Sequence, residues 1–521
     1  MPTEPPGTRP SPQRTHNRQL AALIAEAGFS NAGLARRVDQ LGLEHGLDLR
    51  YDKTSVTRWL RGQQPRGTTP ALIAEVFTRR LGRRLSAQDL GLDPCAPVYA
   101  GLEFAATSAE AVDIVSGLWR KDAGSHRELR KIAFTPAGLV VPSRDWLIGR
   151  PDDRVGRGEP APQPPPARVP VQGSRVGPLA GGPGGGLSGG APLGSAPPGG
   201  RMPRAERPDR PELVERCPGQ RVTSGDVTAL RSVAELFHSL DEAHGGGHAR
   251  QALVRYLEHE AEPMLRGTFG DALGRRLFAA AADLTRLAGW TAYDVAAHGL
   301  AQRYYVQALR LSQAAGDRAY GAYVLATMSA QAVYLGHGRE AVQLARVAQQ
   351  GVGPGGPPAV QGLLHAVEAR GHALVGEARS AAAALTRAER ALETMGRDRD
   401  EGEGQWARAF DEARFADESG HCHRDLQQYR TAAQHSERAL RLRGGGPGRG
   451  TVLSRLVLAT ARLGLGELDG ACELAAEAAG GAFELRSMRA HEYVRDFERR
   501  LEPYRDTAAA RGYRERVAAL G

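Results

Sequence analysis

Six side chains within one short stretch could do chemistry. In "KTSVTRWLRG", Lys53, Thr54, Ser55, Thr57, Arg58 and Arg61 are all hydrogen-bond donors, and three of them carry a positive charge. Ammonium and guanidinium groups recognise phosphate and other anions, and guanidinium can make two parallel bonds to one partner. Helical spacing divides the stretch into two faces. Val56, Trp59 and Leu60 fall at i, i+3 and i+4 on one side. Thr54, Thr57, Arg58 and Arg61 fall at i, i+3, i+4 and i+7 on the other, and Gly62 can end the helix. Such a face either reads an anionic partner or is simply the solvated side of an amphipathic helix.

Other chemistry is hard to find. Cys95, Cys217, Cys422 and Cys472 are far apart and form no CxxC pair. That argues against a disulfide framework or a zinc ribbon, and for a reducing cytoplasm. In "GHCHRD", His421, Cys422 and His423 are adjacent, so they point in different directions and do not converge on one metal. There is no GxxxxGK[ST] and no HExxH. His298, His337 and His365 read as surface or core histidines, and Trp290 and Tyr293 in "TRLAGWTAYD" read as packing residues at a helix crossing. The expectation is a protein without catalytic residues, cofactor or metal, and not an enzyme.

Composition narrows the class. The chain has 521 residues, 41% of them hydrophobic, which is enough for packed cores and more than one domain. No stretch approaches the roughly 18 apolar residues that span a bilayer, and the N-terminus has no apolar core of the secretory kind. Of the 68 basic residues only 3 are Lys, so arginine richness itself says little about partners. Its distribution says more: residues 1–90 hold 14 basic and 8 acidic side chains, while residues 91–150 hold 7 of each.

These elements must position the donor face. "HNRQLAALIAEAGF" predicts a first helix with Leu20, Leu23 and Ile24 inward. Ser30 caps a second, with Leu34, Val38 and Leu41 inward. The donor stretch is the next helix, and "TPALIAEVFTRRLG" follows with Leu72, Ile73, Val76 and Phe77 inward. Residues 96–150 read as a small α/β extension: "SAEAVDIVSGLWRKD" looks helical and "LRKIAFTPAGLVVPSRDWLIG" looks like one or two short strands. Residues 151–200 contain 14 Gly and 12 Pro, so 151–222 reads as a disordered linker. Residues 1–15 read as a disordered tail.

Residues 223–521 are rich in Ala, Leu, Arg and Glu, with little β-branched alternation. Small residues recur there in one register: Ala301, Tyr305, Ala308; Ala341, Ala345, Ala348; Ala381, Leu385, Ala388; Ala432, Ser436, Ala439; and Ala471, Ala475, Ala478. The starts are separated by 40, 40, 51 and 39 residues. "LGHGREAVQLA" and "LGELDGACELA" resemble tetratricopeptide repeats, with longer spacing than the usual period. An Ala-rich helical bundle is the competing reading.

The segments "SNAGLARRV" and "TSVTRWLRGQQPR" resemble the phage-repressor type of helix-turn-helix domain, here residues 16–95. "GLEHGLDLRYD" intervenes where that motif has a turn of about 3–4 residues. The resemblance implies that Lys53, Thr54, Ser55, Thr57, Arg58 and Arg61 contact double-stranded DNA, with Val56, Trp59 and Leu60 on the core side. The inserted residues could carry Arg50 and Tyr51 toward a phosphate. Outside the linker, and most specifically in "AGWTAYDVAAHGLAQRYYVQALRLSQAAGDRAYGAYVLATMSAQAVYLGH", the chain resembles actinomycete regulators that join such a segment to tetratricopeptide repeats, some described as negative regulators of sporulation and antibiotic production. The expected fold is mostly α: a small helix-turn-helix-like domain, a disordered Gly/Pro linker and a tetratricopeptide-like α-solenoid. The expected function is a cytoplasmic transcriptional regulator of sporulation and secondary metabolism. A protein or peptide would sit in the repeat groove, and a homodimer is compatible with this reading. The alternative is a non-DNA-binding adaptor acting through its repeats.

Overall fold

The computed structural model describes residues 16–44, 49–65, 69–83, 85–93, 101–124, 132–158, 220–395, 410–444, 446 and 448–520. The expected N-terminal tail, most of the expected linker and residues 45–48 of the insertion lie outside them. Among the described residues the chain is almost wholly helical, and its only extended pairings are two isolated bridges.

Four helices make the N-terminal unit: α1 (Arg18–Ala27), α2 (Asn31–Glu44), α3 (Lys53–Leu60) and α4 (Thr69–Leu81). Their apolar stripes meet as the spacing predicts. Leu20, Leu34, Val38, Val56, Trp59, Leu72, Ile73 and Phe77 form one core, with Leu90 and Leu92 added from a short turn after α4. Asn17 fastens the unit's ends. Its side chain caps α1 by accepting from Leu20 N (2.9 Å) and donates to Leu90 O (2.8 Å), while its backbone N–H donates to Leu60 O (2.9 Å).

The rest of the helices are α5 (Ser108–Ala123), α6 (Val140–Ile148), α7 (Ser224–His244), α8 (Gly246–Tyr256), the short α9 (Glu262–Leu265), and then a run of helix pairs. The pairs are α10 and α11 (Asp271–Asp294, His298–Ala315), α12 and α13 (Arg318–Tyr334, Gly338–Val352), and α14 and α15 (Pro358–Leu374, Ala378–Met395). They continue with α16 and α17 (Glu412–Asp425, Tyr429–Leu442), α18 and α19 (Arg449–Gly464, Leu468–Glu484), and α20 and α21 (Met488–Leu501, Ala508–Ala518). Each pair packs on the next, which is a helical solenoid.

The repeat is written in the backbone as well as in the side chains. The five registers of small residues all lie on the second helix of a pair, and all fifteen positions are buried. Between the helices of the first five pairs, one residue takes the left-handed conformation: Ala296 (φ 63°), Gly336 (86°), Gly376 (81°), Gln427 (58°) and Gly466 (83°). The next N–H then bonds to a carbonyl five residues back, as in His337 N to Ala332 O (2.8 Å) and Gln428 N to His423 O (2.8 Å). That bond satisfies a carbonyl the helix end would leave unpaired.

Two expectations are corrected. Residues 96–150 hold no strand among the described residues: 136–139 make a 3-10 turn and Val140–Ile148 a helix. Of the residues that suggested strands, Ile132 is buried and Phe134 packs against the core, while Val140, Val141 and Ile148 are exposed on a helix. This segment is also not a separate extension, because Trp119, Trp146, Leu139 and Ile132 belong to the same core as the solenoid. The second correction concerns the linker edges. Arg157 pairs with Phe269 through two bonds of 2.9 Å, Thr268 donates to Gln220 O (3.1 Å), and Val222 donates to Thr268 O (3.0 Å). The described residues that flank the Gly/Pro stretch, Arg157 and Gln220, are therefore held beside the same two residues. The covalent step from the N-terminal unit to the solenoid is residues 94–100, not the Gly/Pro stretch.

The solenoid bends until its early and late helices touch. Arg449 at the start of α18 donates to both Asp241 oxygens (3.0 and 2.7 Å) and lies 3.2 Å from Asp294 Oδ2. Trp290 Nε1 donates to the same Asp241 (3.0 Å), and Arg449 and Arg489 lie over the Trp290 ring. Beside them the backbones bond directly, Arg486 N to His244 O and Gly247 N to Arg486 O, each 2.9 Å. From α20, Arg489 covers Tyr293 of α10, Glu492 accepts from Tyr334 of α12, and Tyr493 meets His421 of α16. Trp290 and Tyr293 are thus packing residues at this seam.

Cys422 and Cys472 are buried free thiols. His421 faces Tyr493 while His423 stacks on His435. No described helix is long and apolar enough to cross a membrane.

Two outcomes follow. Exposed Gln427 pays the left-handed strain that glycine avoids, so Gln427→Gly raises the urea midpoint of the solenoid, by about 0.5–1 kcal/mol after the glycine entropy cost. Arg449→Ala strands two buried carboxylates and lowers stability by roughly 3–5 kcal/mol in the same measurement.

Candidate nucleic-acid interface

The placement of α3 begins with its cap. Asp52 Oδ1 accepts from Ser55 N (2.8 Å) and from the Ser55 hydroxyl (2.9 Å), and Asp52 N donates back to Ser55 Oγ (3.5 Å). This reciprocal box satisfies donors that the first turn leaves unpaired. It also holds the Asp52 carboxyl below its ordinary value, through the Ser55 backbone bond first and the hydroxyl second.

One residue earlier, Tyr51 N donates to both Asp39 oxygens of α2 (3.0 and 3.1 Å). The Tyr51 hydroxyl shares a hydrogen bond with Thr69 of α4 (2.8 Å), and its ring meets Trp59 edge-on at 5.0 Å. Val56 is fully buried and Trp59 is 4% exposed. The helix is thus fixed in rotation by its apolar side and in position by its N-terminus.

That rotation decides where the donors go. Lys53, Thr54, Thr57 and Arg61 line one open groove of about 590 Å³, and its opposite wall is Ser30, Asn31 and Ala32 at the start of α2. Asn31 Nδ2 reaches Thr57 Oγ1 across the groove (3.4 Å), and the Thr57 hydroxyl donates to Lys53 O (2.8 Å). Arg58 is exposed one turn beyond Thr54 and donates to Thr54 O at 3.5 Å. On α2, exposed Arg36 stands one turn beyond Ala32 and donates to its carbonyl (3.4 Å).

Five of the six expected site residues therefore share one exposed surface. Ser55 does not: it is 9% exposed, and its hydroxyl is committed to Asp52. Tyr51, which the inserted residues could have carried outward, is turned into the core instead. Leu60 is only partly buried against that core. Spacing alone did not show the α2 wall. Its signal was the cap: Ser30 Oγ accepts from Gly33 N (3.0 Å), which marks the start of α2, the part that lines the groove opposite α3. Both helix starts are already capped, α3 by the Asp52 carboxylate and α2 by Ser30. Anion recognition on this surface therefore rests on the exposed cations Lys53 and Arg61.

Residues 20–93 match the SP15 N-terminal domain family. The match opens at Leu20, the first core residue, and closes just after Leu92, the last. No curated protein and no solved structure matches the chain.

Two measurements check this SP15-like domain. Trp59→Ala empties a buried site and costs about 3–5 kcal/mol, read as faster amide exchange across α1–α4. Asp52→Asn loosens the start of α3 at neutral pH. Because the folded carboxyl titrates below its usual 3.8, its contribution is present above that pH and fades as pH falls through the lowered value, so wild type and variant converge in acid.

Proposed function

We propose that residues 16–93 bind double-stranded DNA and that the chain is a transcriptional regulator, as the helix-turn-helix resemblance implies, acting in sporulation and secondary metabolism. The observation that carries the DNA reading is the single exposed surface. Lys53, Thr54, Thr57, Arg58 and Arg61 stand together on α3, while Val56 and Trp59 lock the opposite side. In this reading α3 enters the major groove. Lys53 and Thr54 at its start and Arg58 one turn on reach base edges, where arginine pairs with guanine through two bonds. Thr57, Arg61 and the α2 wall of Ser30 and Asn31 hold phosphates.

The repeat body is proposed to bind a protein or peptide partner. Its seam constrains where: α20 reaches α10, α12 and α16, so that part of the inner face is already covered by the chain itself.

The test is binding of the full chain to genomic DNA fragments over a range of salt. Phosphate contacts require affinity to fall steeply as salt rises. Arg58→Ala loses about 1–3 kcal/mol on its preferred sequence and relaxes preference there, while Arg61→Ala weakens all sequences alike and flattens the salt slope. Absence of binding at low salt would leave the adaptor reading in its place.

A further inference from the structure

A stripe of polar side chains runs the length of α11, and nearly all of it is buried: Gln302, Arg303, Gln307, Arg310 and Gln313 are 0–9% exposed. Burying such groups is costly unless each finds a partner. Here most of the partners are backbone groups of residues 101–158. Gln307 donates to Gly101 O (2.8 Å) and Glu103 O (3.0 Å), and Arg310 to Ala105 O (2.7 Å) and the Asp152 carboxylate (2.9 and 3.0 Å). Gln302 and Thr135 exchange two bonds (2.7 and 3.1 Å), and Gln313 donates to Arg150 O (2.8 Å). Arg318, at the start of α12, donates to the Trp146 and Gly149 carbonyls. Amide and guanidinium groups here grip main chain, including the carbonyls at the end of α6.

The grip has one apolar anchor. Trp146 is fully buried in a slot between α12 and α13, and the slot exists because Gly321 and Gly351 have no side chains. A Cβ on Gly351 would stand 2.2 Å from the indole, and one on Gly321 2.3 Å. Glycine inside a helix costs roughly 0.5–1 kcal/mol against alanine, so two at facing positions need a reason, and the indole supplies it. A tryptophan in a fitted pocket, ringed by polar bonds, is the make-up of a recognition interface.

The covalent route adds an independent argument. The described residues on either side of the Gly/Pro stretch, Arg157 and Gln220, both bond beside Thr268 and Phe269, away from α11–α13.

We propose that the outer face of α11–α13 is a receptor surface for a tryptophan-bearing helix and the main chain flanking it, that the described residues of 101–158 fill it, and that they stay bound without the covalent link through 159–219. The N-terminal portion, 1–158, is then a subunit held by recognition.

The experiment uses the full chain with a specific protease site placed between Gly189 and Gly190 and a tag at the N-terminus. After folding, the chain is cut and passed over a sizing column at low micromolar concentration. The expected result is no loss of the tagged piece from the peak of the larger piece, and no change in helical signal on cutting. Separation of the two pieces on cutting overturns the proposal. Gly351→Leu fills the slot from the receptor side and Trp146→Ala empties it from the ligand side. Each is expected to release the tagged piece after cutting, with helical content before cutting as the check on folding. If both variants fold and both retain the tagged piece as wild type does, the receptor assignment is wrong.

Discussion

Helices can cross closely only where the side chains between them are small, and the solenoid rests on that constraint. At five crossings the second helix offers Ala or Ser at two or three positions of one register, all buried. Large side chains there would push each pair apart and shift every later pair with it, because a solenoid passes its geometry from neighbour to neighbour. The left-handed turn between the helices obeys the same demand. It reverses the chain within three residues, so the first and second helices meet at the same height in every pair. Even Ala296 and Gln427, which bear the strain of that conformation, keep the bond pattern of the glycine turns.

What could be read from the sequence follows from range. The apolar faces of α1–α4 and the small-residue registers are periodic and local, and they appear in the fold where spacing put them. The donor face of α3 was legible for the same reason, apart from Ser55. Its hydroxyl looked like its neighbours' but is claimed by Asp52, three residues before it, in a cap that reads on paper like any polar pair. Residues 132–150 were misread because nothing local decides them. Val140 and Val141 favour a strand, yet they are exposed, and the conformation is set by an indole held between helices that lie nearly two hundred residues away. The polar stripe of α11 was silent too, since Gln and Arg on a helix suggest solvent until a main chain is found lying over them.

The seam shows how charge can finish what packing begins. Asp241 and Asp294 are buried, and Arg449 answers both, with Arg489 stacked alongside on Trp290. An ion pair of this sort adds little net stability over an apolar contact of equal volume, but its geometry admits few alternatives. It fixes which turn of α18 faces which turn of α7. The curvature of the solenoid is therefore set at its closing point as well as along its length.

The short step between the two ordered parts carries a last consequence. From Asp93 to Gly101 there are eight residue steps, and a fully extended chain covers at most about 26–29 Å in that many. One turn of B-form DNA measures about 34–36 Å. The first described residue of the solenoid body therefore lies within less than one such turn of Asp93, the end of the N-terminal domain. The solenoid would then shelter flanking DNA without touching a base, and two such chains could sit side by side only at spacings their bulk allows. On the proposed DNA-binding reading, the size of the body would limit operator spacing, while base contacts would fall to α3.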